Sequence, residues 1–590
     1  MLYIVQAVTL DKARARVAGV GARTEQNLEI IRAVSAYLTA DQARKLRADG
    51  ELRLFEDRAL NTSATLLGAL KTTVNSTNNT VTTSVVGKLT TAVTAPVVST
   101  VTTNQIVSTV TSPLVKSISA NTTLQDGTGV AGLTLTYETN YPQLIGADQL
   151  QRAGITGKGV TIAMLDTGLW NDLTQNYGSR ILASYDVTNA GKPVTTDPYG
   201  HGTHVTSIAA SGAQALSGSY LGIAPKANLV IVKAFNGQGA GRYVDVIEGI
   251  NWIVANKKKY NIRVLNVSFG APPQSYYWDD PVNQAVMAAW RAGIVVVAAA
   301  GNEGPEPMTI DVPGNTPYVV TVGALTDAGT PYDANDDRLA SFSSTGPTIE
   351  GFVKPELVSP GGHIAASMSS SSYLANLDPD SMKLGEQMFT MSGTSQAAAV
   401  TSGVIALMLQ DDPTLTPDTV KCRLIMSSRP AVKSTGKLAY SVFQQGAGLI
   451  NAVAAVNSSA TGCANGGLDI DDDLAGTRHF GGPANQDASG NYYVMDMGSS
   501  EWGDPLNADG YIWSRNYPWN EGYAWSSGYI WSRGYIWSRG YTWSSGYIWS
   551  RGYIWSRGYI WSRNLAWWNA PAYSAPASSP TSIESWVPNE

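Results

Sequence analysis

Residues 160–168 read Val-Thr-Ile-Ala-Met-Leu-Asp-Thr-Gly, a largely apolar run of strand length that ends on a carboxylate and a turn. Similar runs follow along the chain, and helical runs separate them. The strand-like runs are Val160–Leu165, Leu229–Ala234, Val264–Val267, Ile294–Ala299 and Tyr318–Val322, and the helical runs include Val244–Ala255, Pro281–Ala292 and Gln396–Leu409. Continuous apolar strands that alternate with helices predict an α/β fold, with a doubly wound parallel sheet covered on both faces.

Asp166 stands at the carboxyl end of the first of these strands. Catalytic groups of open parallel sheets cluster at that edge, where a carboxylate can orient a neighbouring base. An aspartate in an ordinary turn explains the motif equally well. Asp-Thr-Gly is also the signature of aspartic proteases, whose chemistry needs two carboxylates that share a proton. The chain has one Asp-Thr-Gly and nothing that resembles a second lobe, so that class is excluded.

A second motif, Gly200-His201-Gly202-Thr203-His204-Val205, opens a helix. The chain contains only 4 histidines, so a mechanism that depends on histidine has few candidates. A neutral imidazole accepts a proton from a hydroxyl nucleophile near pH 7, which suits His201. One alternative is a His201 at the helix start with a packed His204 one turn later. A zinc pair is the other alternative, but no third ligand stands nearby.

Two further motifs provide a hydroxyl and an amide. Ser392-Gly393-Thr394-Ser395 begins a long apolar helix. A serine at a helix start is most often an N-cap. Small neighbours would, however, let a substrate backbone approach Ser395, and the helix N-terminus favours developing negative charge. Asn302 follows a buried strand and is either a turn residue or an amide donor to an oxyanion.

These motifs stand in the order Asp, His, Asn, Ser, and the combination resembles the subtilisin-like serine proteases, or subtilases, in a match that covers about 315 residues. Asn266–Gly270 and Gly446–Ala452 also match that family. The resemblance implies that Ser395 is the nucleophile, His201 the base and then the acid, and Asp166 the group that holds the imidazole. Asn302 and the backbone N–H of Ser395 would form the oxyanion hole. The family's chemistry requires no cofactor and no catalytic metal, and structural calcium is expected by analogy.

The resemblance also implies that an extended substrate binds as an added strand. The residues assigned to this role are Ser268, Phe269, Gly270, Gly237, Gln238, Gly239 and Gly301. A plain strand end and a plain loop are the alternatives for these segments. The chain departs from the family directly after Ser395, where Gln396–Val400 replaces the usual Met-Ala-Ala-Pro-His. This difference affects the assignment to a subfamily rather than the triad, and His363 is expected to be structural.

Changes in composition predict six regions. Residues 1–58 combine strand Leu2–Val8, helix Thr39–Ala48 and strand Leu52–Glu56, and they resemble the end of a subtilase propeptide. Such a unit would assist folding, inhibit the site until it is removed, and imply export. The six regions are the propeptide-like domain 1–58, a Thr/Val/Ser-rich linker or insert 59–137, the peptidase domain 138–457, a Gly/Asp-rich connector 458–509, a hexapeptide repeat 510–568 and a flexible tail 569–590.

The repeat places ten tryptophans at a spacing of six from Trp513 to Trp567, with Gly534–Arg539 as a typical copy. Because six is even, an extended chain presents the positions of Tyr535, Trp537 and Arg539, and the matching positions of every other copy, on one side. Three interpretations remain open. They are a β-solenoid or stacked hairpins, a flexible sticky tail that binds sugars or a cell surface, and an aromatic strip packed on the enzyme itself. The partners expected for the repeat are other copies of the chain, through self-association, or a cell surface.

Composition and charge exclude several classes of function. The net charge of −6 over 590 residues offers no basic surface, so no nucleic-acid partner is expected. No apolar run reaches about 18 residues, so no transmembrane segment is predicted. We expect protein or peptide substrates and a secreted or cell-surface protein, although no signal peptide is visible. Cys422 and Cys463 form either one bridge or two free thiols. The Asp469–Asp473 cluster lacks the spacing of a calcium loop and is expected to be a solvated turn.

Overall fold

The computed structural model describes residues 1–61, 139–170, 177–194, 196–327, 329–333, 336–383, 387–431, 433, 438–486 and 491–496, with short backbone stretches between 504 and 561. Nearly all of the linker or insert predicted at 59–137 lies outside these residues, as do the tail 569–590 and most of the repeat. The helices that the structure describes include none that is both long enough and apolar enough to cross a membrane.

The N-terminal unit, residues 1–61, is built on a four-stranded antiparallel sheet with strand order β2-β3-β1-β4. Its elements are β1 (Leu2–Gln6), α1 (Leu10–Gly19), β2 (Thr24–Leu28), a 3-10 turn (Glu29–Ile31), β3 (Ala33–Tyr37), α2 (Ala40–Arg47), β4 (Arg53–Glu56) and β5 (Ala59–Asn61). Thr39 caps α2 through a capping box with Gln42.

The two faces of this small sheet pack against different partners. Tyr3 and Val5 of β1 belong to a cluster formed with α1 and α2 inside the unit. Leu2 and Ile4, which alternate with them, belong instead to the core of the large domain. Since successive strand residues point to opposite faces, one apolar strand fills two cores. The N-terminal unit is thus packed tightly on the large domain.

The large domain is built on an eight-stranded sheet. Its strands are β6 (Thr161–Asp166), β7 (Ile181–Asp186), β8 (Asn228–Lys233), β10 (Ile262–Val267), β11 (Val295–Ala299), β12 (Val320–Thr326), β13 (Arg338–Leu339) and β14 (Leu357–Pro360), while β9 (Ala240–Arg242) lies outside it. Their order is β13-β12-β11-β10-β6-β8-β7, with β14 beside β12, and every pair except β12–β13 is parallel. The five predicted strands all belong to this sheet, so the predicted α/β class is confirmed.

Helices cover the sheet. They are α3 (Tyr141–Leu144), α4 (Ala147–Arg152), α5 (His201–Ala210), α6 (Tyr243–Tyr260), α7 (Pro281–Arg291), α8 (Tyr373–Leu377), α9 (Thr394–Asp411), α10 (Pro417–Ser427), α11 (Val442–Gln445) and α12 (Ala452–Val456). Short 3-10 turns span Gly178–Arg180, Val187–Asn189 and Pro379–Ser381. Helix α6 packs with α7, and α5 packs with α9. Residues of α9 from Thr394 to Leu409 are all buried, which explains why that helix is apolar on every side.

A C-terminal extension packs on the large domain. The extension contains α13 (Ile470–Ala475), β18 (His479–Gly481), β19 (Ala484–Gln486), β20 (Tyr492–Asp496) and β21 (Asp504–Leu506). A separate small sheet lies before α9 in the chain and consists of β15 (Ile364–Ser367), β16 (Met382–Lys383) and β17 (Met388–Met391). Cys422 of α10 and Cys463 form a disulfide, which decides between the two states left open by the sequence.

The expectation of a solvated turn at Asp469–Asp473 is wrong for Asp473. Asp469 caps α13, and the Asp473 carboxylate is buried. Asp473 Oδ2 accepts hydrogen bonds from the hydroxyls of Tyr277 and Tyr318, each at 2.7 Å, and its Oδ1 lies 2.8 Å from His479 Nδ1. Buried carboxylates need such partners. Asp473 therefore anchors the extension to the large domain.

In the repeat, the structure gives only backbone pairs. The short strands are β22 (Tyr523–Trp525), β23 (Ile530–Trp531), β24 (Thr542–Trp543), β25 (Ile548–Trp549) and β26 (Ile560–Trp561). Strands β23 and β25 pair in parallel, as do β24 and β26, so copies three repeats apart come into register. The three interpretations of the repeat stay predictions.

Candidate active site

Asp166 is the last residue of β6, in the middle of the parallel sheet. Its side chain is buried, and its Oδ1 accepts the backbone N–H of Thr167 at 2.7 Å. The same Oδ1 lies 2.7 Å from Nδ1 of His201. The carboxylate is therefore fixed from the strand side and bound to the imidazole.

His201 is the first residue of α5, and Gly200 before it adopts a left-handed conformation with φ of 105°. Gly202 permits close contact with the loop after β6, because a Cβ on it would lie 2.4 Å from the carbonyl oxygen of Gly168. Among the described residues, His201 Nε2 has no hydrogen-bond partner. With Nδ1–H donated to Asp166, Nε2 carries the lone pair and is able to accept a proton.

Ser395 is the second residue of α9 and is buried. Its Oγ donates to the carbonyl oxygen of Ser268 at 3.0 Å, and Ser268 Oγ donates to the carbonyl oxygen of Ser395 at 3.0 Å. In this structure the hydroxyl is therefore held by the end of β10 rather than by His201. Catalytic hydrogen bonds of enzymes without substrate are often made only in the substrate complex.

The two helices that carry His201 and Ser395 are joined beside the site. Gln396 Nε2 lies 3.4 Å from His204 Nδ1, and His204 Nε2 lies 3.0 Å from the carbonyl oxygen of Phe389. Burial lowers the pKa of His204 to about 3, so this ring is neutral. His204 thus takes the packed position that the sequence offered as an alternative. Gln396, where the chain departs from the family, forms the bridge.

Asn302 lies in the loop that follows β11, with its side chain directed at the start of α9. Its Oδ1 accepts the backbone N–H and the hydroxyl of Thr394, each at 2.9 Å. Because Oδ1 faces two donors, the orientation of the amide is fixed and Nδ2 remains the outward donor. Thr394 was not singled out from the sequence, although it lies inside the Gly-Thr-Ser motif.

The segments predicted to bind substrate take different positions. Ser268 holds Ser395, and the ring of Phe269 lies 4.9 Å from that of Phe235. Gly270 and Gly301 both border Asp311, since a Cβ on either would come within 3 Å of its side chain. Burial raises the pKa of Asp311 well above its usual range, and no sequence motif pointed to this residue.

An extended segment lies directly beside the predicted Gly237-Gln238-Gly239 loop. Strand β5 of the N-terminal unit pairs antiparallel with β9, matching Ala59 with Arg242, Leu60 with Gly241 and Asn61 with Ala240. Leu60 is fully buried. The strand-pairing edge is thus Ala240–Arg242, immediately after the loop that the sequence indicated.

Lys233 lies behind the Asp166–His201 pair and was also missed from the sequence. It is the last residue of β8 and pairs with Asp166 across the sheet. Its Nζ donates to the carbonyl oxygens of Thr167 and Phe235. Burial lowers the pKa of Lys233, whereas the nearby Asp197, Asp186 and Asp166 raise it. Lys233 therefore ties the turn directly after Asp166 to the loop that follows β8.

No group of three or more His, Cys, Asp or Glu side chains suited to a metal ion occurs among the described residues. The described residues therefore offer no site for the structural calcium that was expected by analogy. The structure joins a carboxylate to an imidazole through Asp166 and His201, and an amide to the segment that carries the Ser395 hydroxyl through Asn302 and Thr394. This set is able to activate a hydroxyl and to stabilise an oxyanion.

The chain is similar to several known proteins. Residues 157–448 match the profile of the subtilase family, Peptidase_S8. The chain is 44% identical over 279 residues to the serine protease AprX of Bacillus subtilis strain 168. The match covers 45% of the chain and 60% of AprX. It is 33% identical over 317 residues to subtilisin DY of Bacillus licheniformis, covering 53% of the chain and 96% of that protein. Subtilisin E of Bacillus subtilis strain 168 is 32% identical over 322 residues, covering 53% of the chain and 69% of that protein.

Proposed function

Since the chain belongs to the subtilase family and is a subtilisin-like serine endopeptidase, we propose that Ser395, His201 and Asp166 are its catalytic triad. The observation that carries this proposal is the buried Asp166–His201 pair at 2.7 Å, which leaves Nε2 without a partner among the described residues. In support, Gln396, the residue after Ser395, lies 3.4 Å from His204 on the helix that begins with His201. No cofactor takes part in the proposed chemistry.

In the proposed reaction, substrate binding breaks the hydrogen bond that Ser395 Oγ donates to the carbonyl oxygen of Ser268, which frees Oγ for attack on the substrate carbonyl carbon. His201 Nε2 removes the hydroxyl proton as Oγ attacks, and the negative charge that develops on the carbonyl oxygen is bound by Asn302 Nδ2 and the Ser395 N–H. His201 then protonates the leaving amine, which breaks the peptide bond and leaves an acyl-enzyme. Water, deprotonated by His201, attacks the ester carbon, and His201 returns that proton to Ser395 Oγ as the bond between Oγ and the acyl carbon breaks and the acid product leaves. Asp166 holds the ring and stabilises its charged form.

The N-terminal unit acts in this proposal as an inhibitor of the precursor. Its strand β5 occupies the edge of β9, which an extended substrate would use. Leu2 and Ile4 of β1 add apolar contact with the large domain. The chain would then be made as a self-processed precursor, acting on proteins or peptides after export, with its own N-terminal unit as a partner.

Labelling of the nucleophile tests the proposed function. A sulfonyl fluoride should modify Ser395 in the processed protein and abolish cleavage of casein. The variant Ser395→Ala should be neither labelled nor processed, whereas the exposed control Ser371→Ala should behave as wild type. Full casein cleavage by Ser395→Ala would refute the proposed triad.

The alternative function is a non-catalytic surface or assembly protein that associates through the aromatic repeat. Removal of residues 510–568 tests it, because the two functions respond differently. If the chain is a peptidase that associates through its repeat, the truncated protein should keep its specific peptidase activity. It should lose any association with cells or with other copies of the chain. If the activity disappears and association persists, the division of roles proposed here is wrong.

A further inference from the structure

Arg58, in the segment between β4 and β5, inserts its side chain between two residues of the large domain. Its Nη2 lies 2.9 Å from Asp280 Oδ2, and its guanidinium centre lies 4.5 Å from the centre of the Tyr243 ring. It also bonds the Tyr243 hydroxyl, and its carbonyl oxygen accepts the Tyr243 backbone N–H at 2.9 Å. One arginine is thus bound by a carboxylate, an aromatic ring and the backbone.

Asp280 uses its two oxygens for different purposes. It is 1% exposed, and its Oδ1 caps α7 by accepting the backbone N–H groups of Val282 at 2.9 Å and Asn283 at 3.2 Å. Its Oδ2 is left for Arg58 and for the Tyr243 hydroxyl, which donates at 3.0 Å. A buried carboxylate is stable only when it is paired. Burial raises the pKa of Asp280 and Arg58 lowers it, which identifies Arg58 as the compensating cation.

The cation and its site belong to different parts of the chain. Arg58 is in the N-terminal unit, whereas Tyr243 and Asp280 are in the large domain. Arg242 of the large domain, next to Tyr243 in the chain, is bound by both carboxylate oxygens of Asp245, at 2.9 and 2.8 Å. When the N-terminal unit leaves, Asp280 loses its cation, and Arg242 is already paired. A guanidinium supplied by another peptide would restore the interaction.

The backbone register places such a peptide. Arg58 precedes Leu60 by two residues, and Leu60 pairs with Gly241 on the edge of β9. We propose that Tyr243 and Asp280 form a specificity site of the processed peptidase for an arginine side chain. The arginine lies two residues N-terminal to the substrate residue that pairs with Gly241. Guanidinium suits the site better than ammonium, because its planar face stacks on the ring while its edge meets the carboxylate. The inference rests on the proposed function, since the peptide enters the same cleft.

Competition by synthetic peptides tests the site. The peptides carry the chain's own residues 56–67 with arginine, citrulline, lysine or alanine at position 58, and each competes with a fluorogenic casein-derived substrate for the processed enzyme. Citrulline keeps the shape of arginine and removes its charge. The inhibition constant should rise about tenfold from arginine to citrulline and to alanine, with lysine between. Equal constants for arginine, citrulline and alanine would overturn the proposal, whether or not the peptides are cleaved.

Two enzyme variants locate the effect. Asp280→Asn keeps a good helix cap and removes the charge, so the difference between the arginine and citrulline peptides should vanish. Asp279→Asn, which alters a neighbouring carboxylate paired with Arg53, should retain the full difference. A preference for arginine that survives in Asp280→Asn would place the site elsewhere. Failure of Ser395 to react with a sulfonyl fluoride would instead refute the proposed function, so the two failures are distinguishable.

Discussion

The Nδ1 atom of His201 lies 2.7 Å from Oδ1 of Asp166, and both side chains are buried. This contact decides which nitrogen of the ring carries the proton. In Asp166→Asn the amide would no longer stabilise the imidazolium or fix the tautomer. We expect kcat on a peptide substrate to fall by about 10⁴, with an unchanged folded structure by circular dichroism. A fall of less than tenfold would show that Asp166 does not orient the base.

Thr394 holds the amide of Asn302, so we expect it to act on the oxyanion through that residue. Thr394→Val removes the hydroxyl that Asn302 Oδ1 accepts, whereas Thr394→Ser keeps it. We expect kcat to fall about tenfold in the valine variant and to stay near wild type in the serine variant, with KM changed in neither. Direct removal of the donor in Asn302→Ala should cost about 10²–10³ in kcat. Equal kcat values for Thr394→Val and Thr394→Ser would contradict the positioning role.

Glu350 should make stability depend on pH. Its side chain is buried, its Oε1 accepts the backbone N–H of Tyr277, and burial raises its pKa from 4.5 to about 7. The folded protein therefore binds more protons than the unfolded chain between these values. The stabilising effect is complete below about pH 4.5 and is lost as the pH rises through 7, a change of roughly 3 kcal/mol.

Thermal unfolding of the inactive Ser395→Ala protein checks this pH dependence. Glu350→Gln should unfold at a higher temperature than its parent at pH 8 and at about the same temperature at pH 5. The exposed Glu306→Gln is the control and should match the parent at both pH values. A Glu350→Gln variant that loses stability equally at pH 5 and pH 8 would show that the carboxylate does not titrate as expected.

The Cys422–Cys463 disulfide ties α10 to the C-terminal extension across 41 residues. A cross-link over such a loop stabilises the fold by about 4 kcal/mol, because it restricts the unfolded chain. The double variant with serine at both positions should unfold at a lower temperature than wild type, and wild type unfolded without reductant should titrate no free thiol. Two titratable thiols in that assay would rule the bridge out.

The C-terminal extension should help to hold the N-terminal unit. Arg32 Nη2 donates to the carbonyl oxygen of Leu474 in α13 at 2.6 Å. After the precursor is cleaved, peptidase activity should appear only when the N-terminal unit is released. Arg32→Ala should shorten this lag by about threefold to tenfold, because the loss of a charge-assisted hydrogen bond weakens the binding of that unit. Arg14→Ala, whose side chain donates hydrogen bonds to Asp11 and Asn27 of the same unit, should leave the lag unchanged. An unaltered lag in Arg32→Ala would exclude a holding role for this contact.

The sequence by itself determined the α/β class, the five central strands and the order of Asp166, His201, Asn302 and Ser395 along them. Apolar runs and glycine-rich motifs are local signals, and the carboxyl ends of parallel strands must meet at one edge of the sheet. Position 302 illustrates the limit of such signals, because only the contact with Thr394 distinguishes an oriented amide donor from a turn residue.

Only the tertiary structure decided the contacts between distant segments. In the folded chain, Cys422 and Cys463 form a disulfide. Asp473 is buried, although the sequence predicted a solvated turn. Arg58 of the N-terminal unit contacts Tyr243 and Asp280. The physical reason is that a charged or polar residue has the same local sequence pattern whether water or a distant partner satisfies it. The folded chain alone supplies that partner.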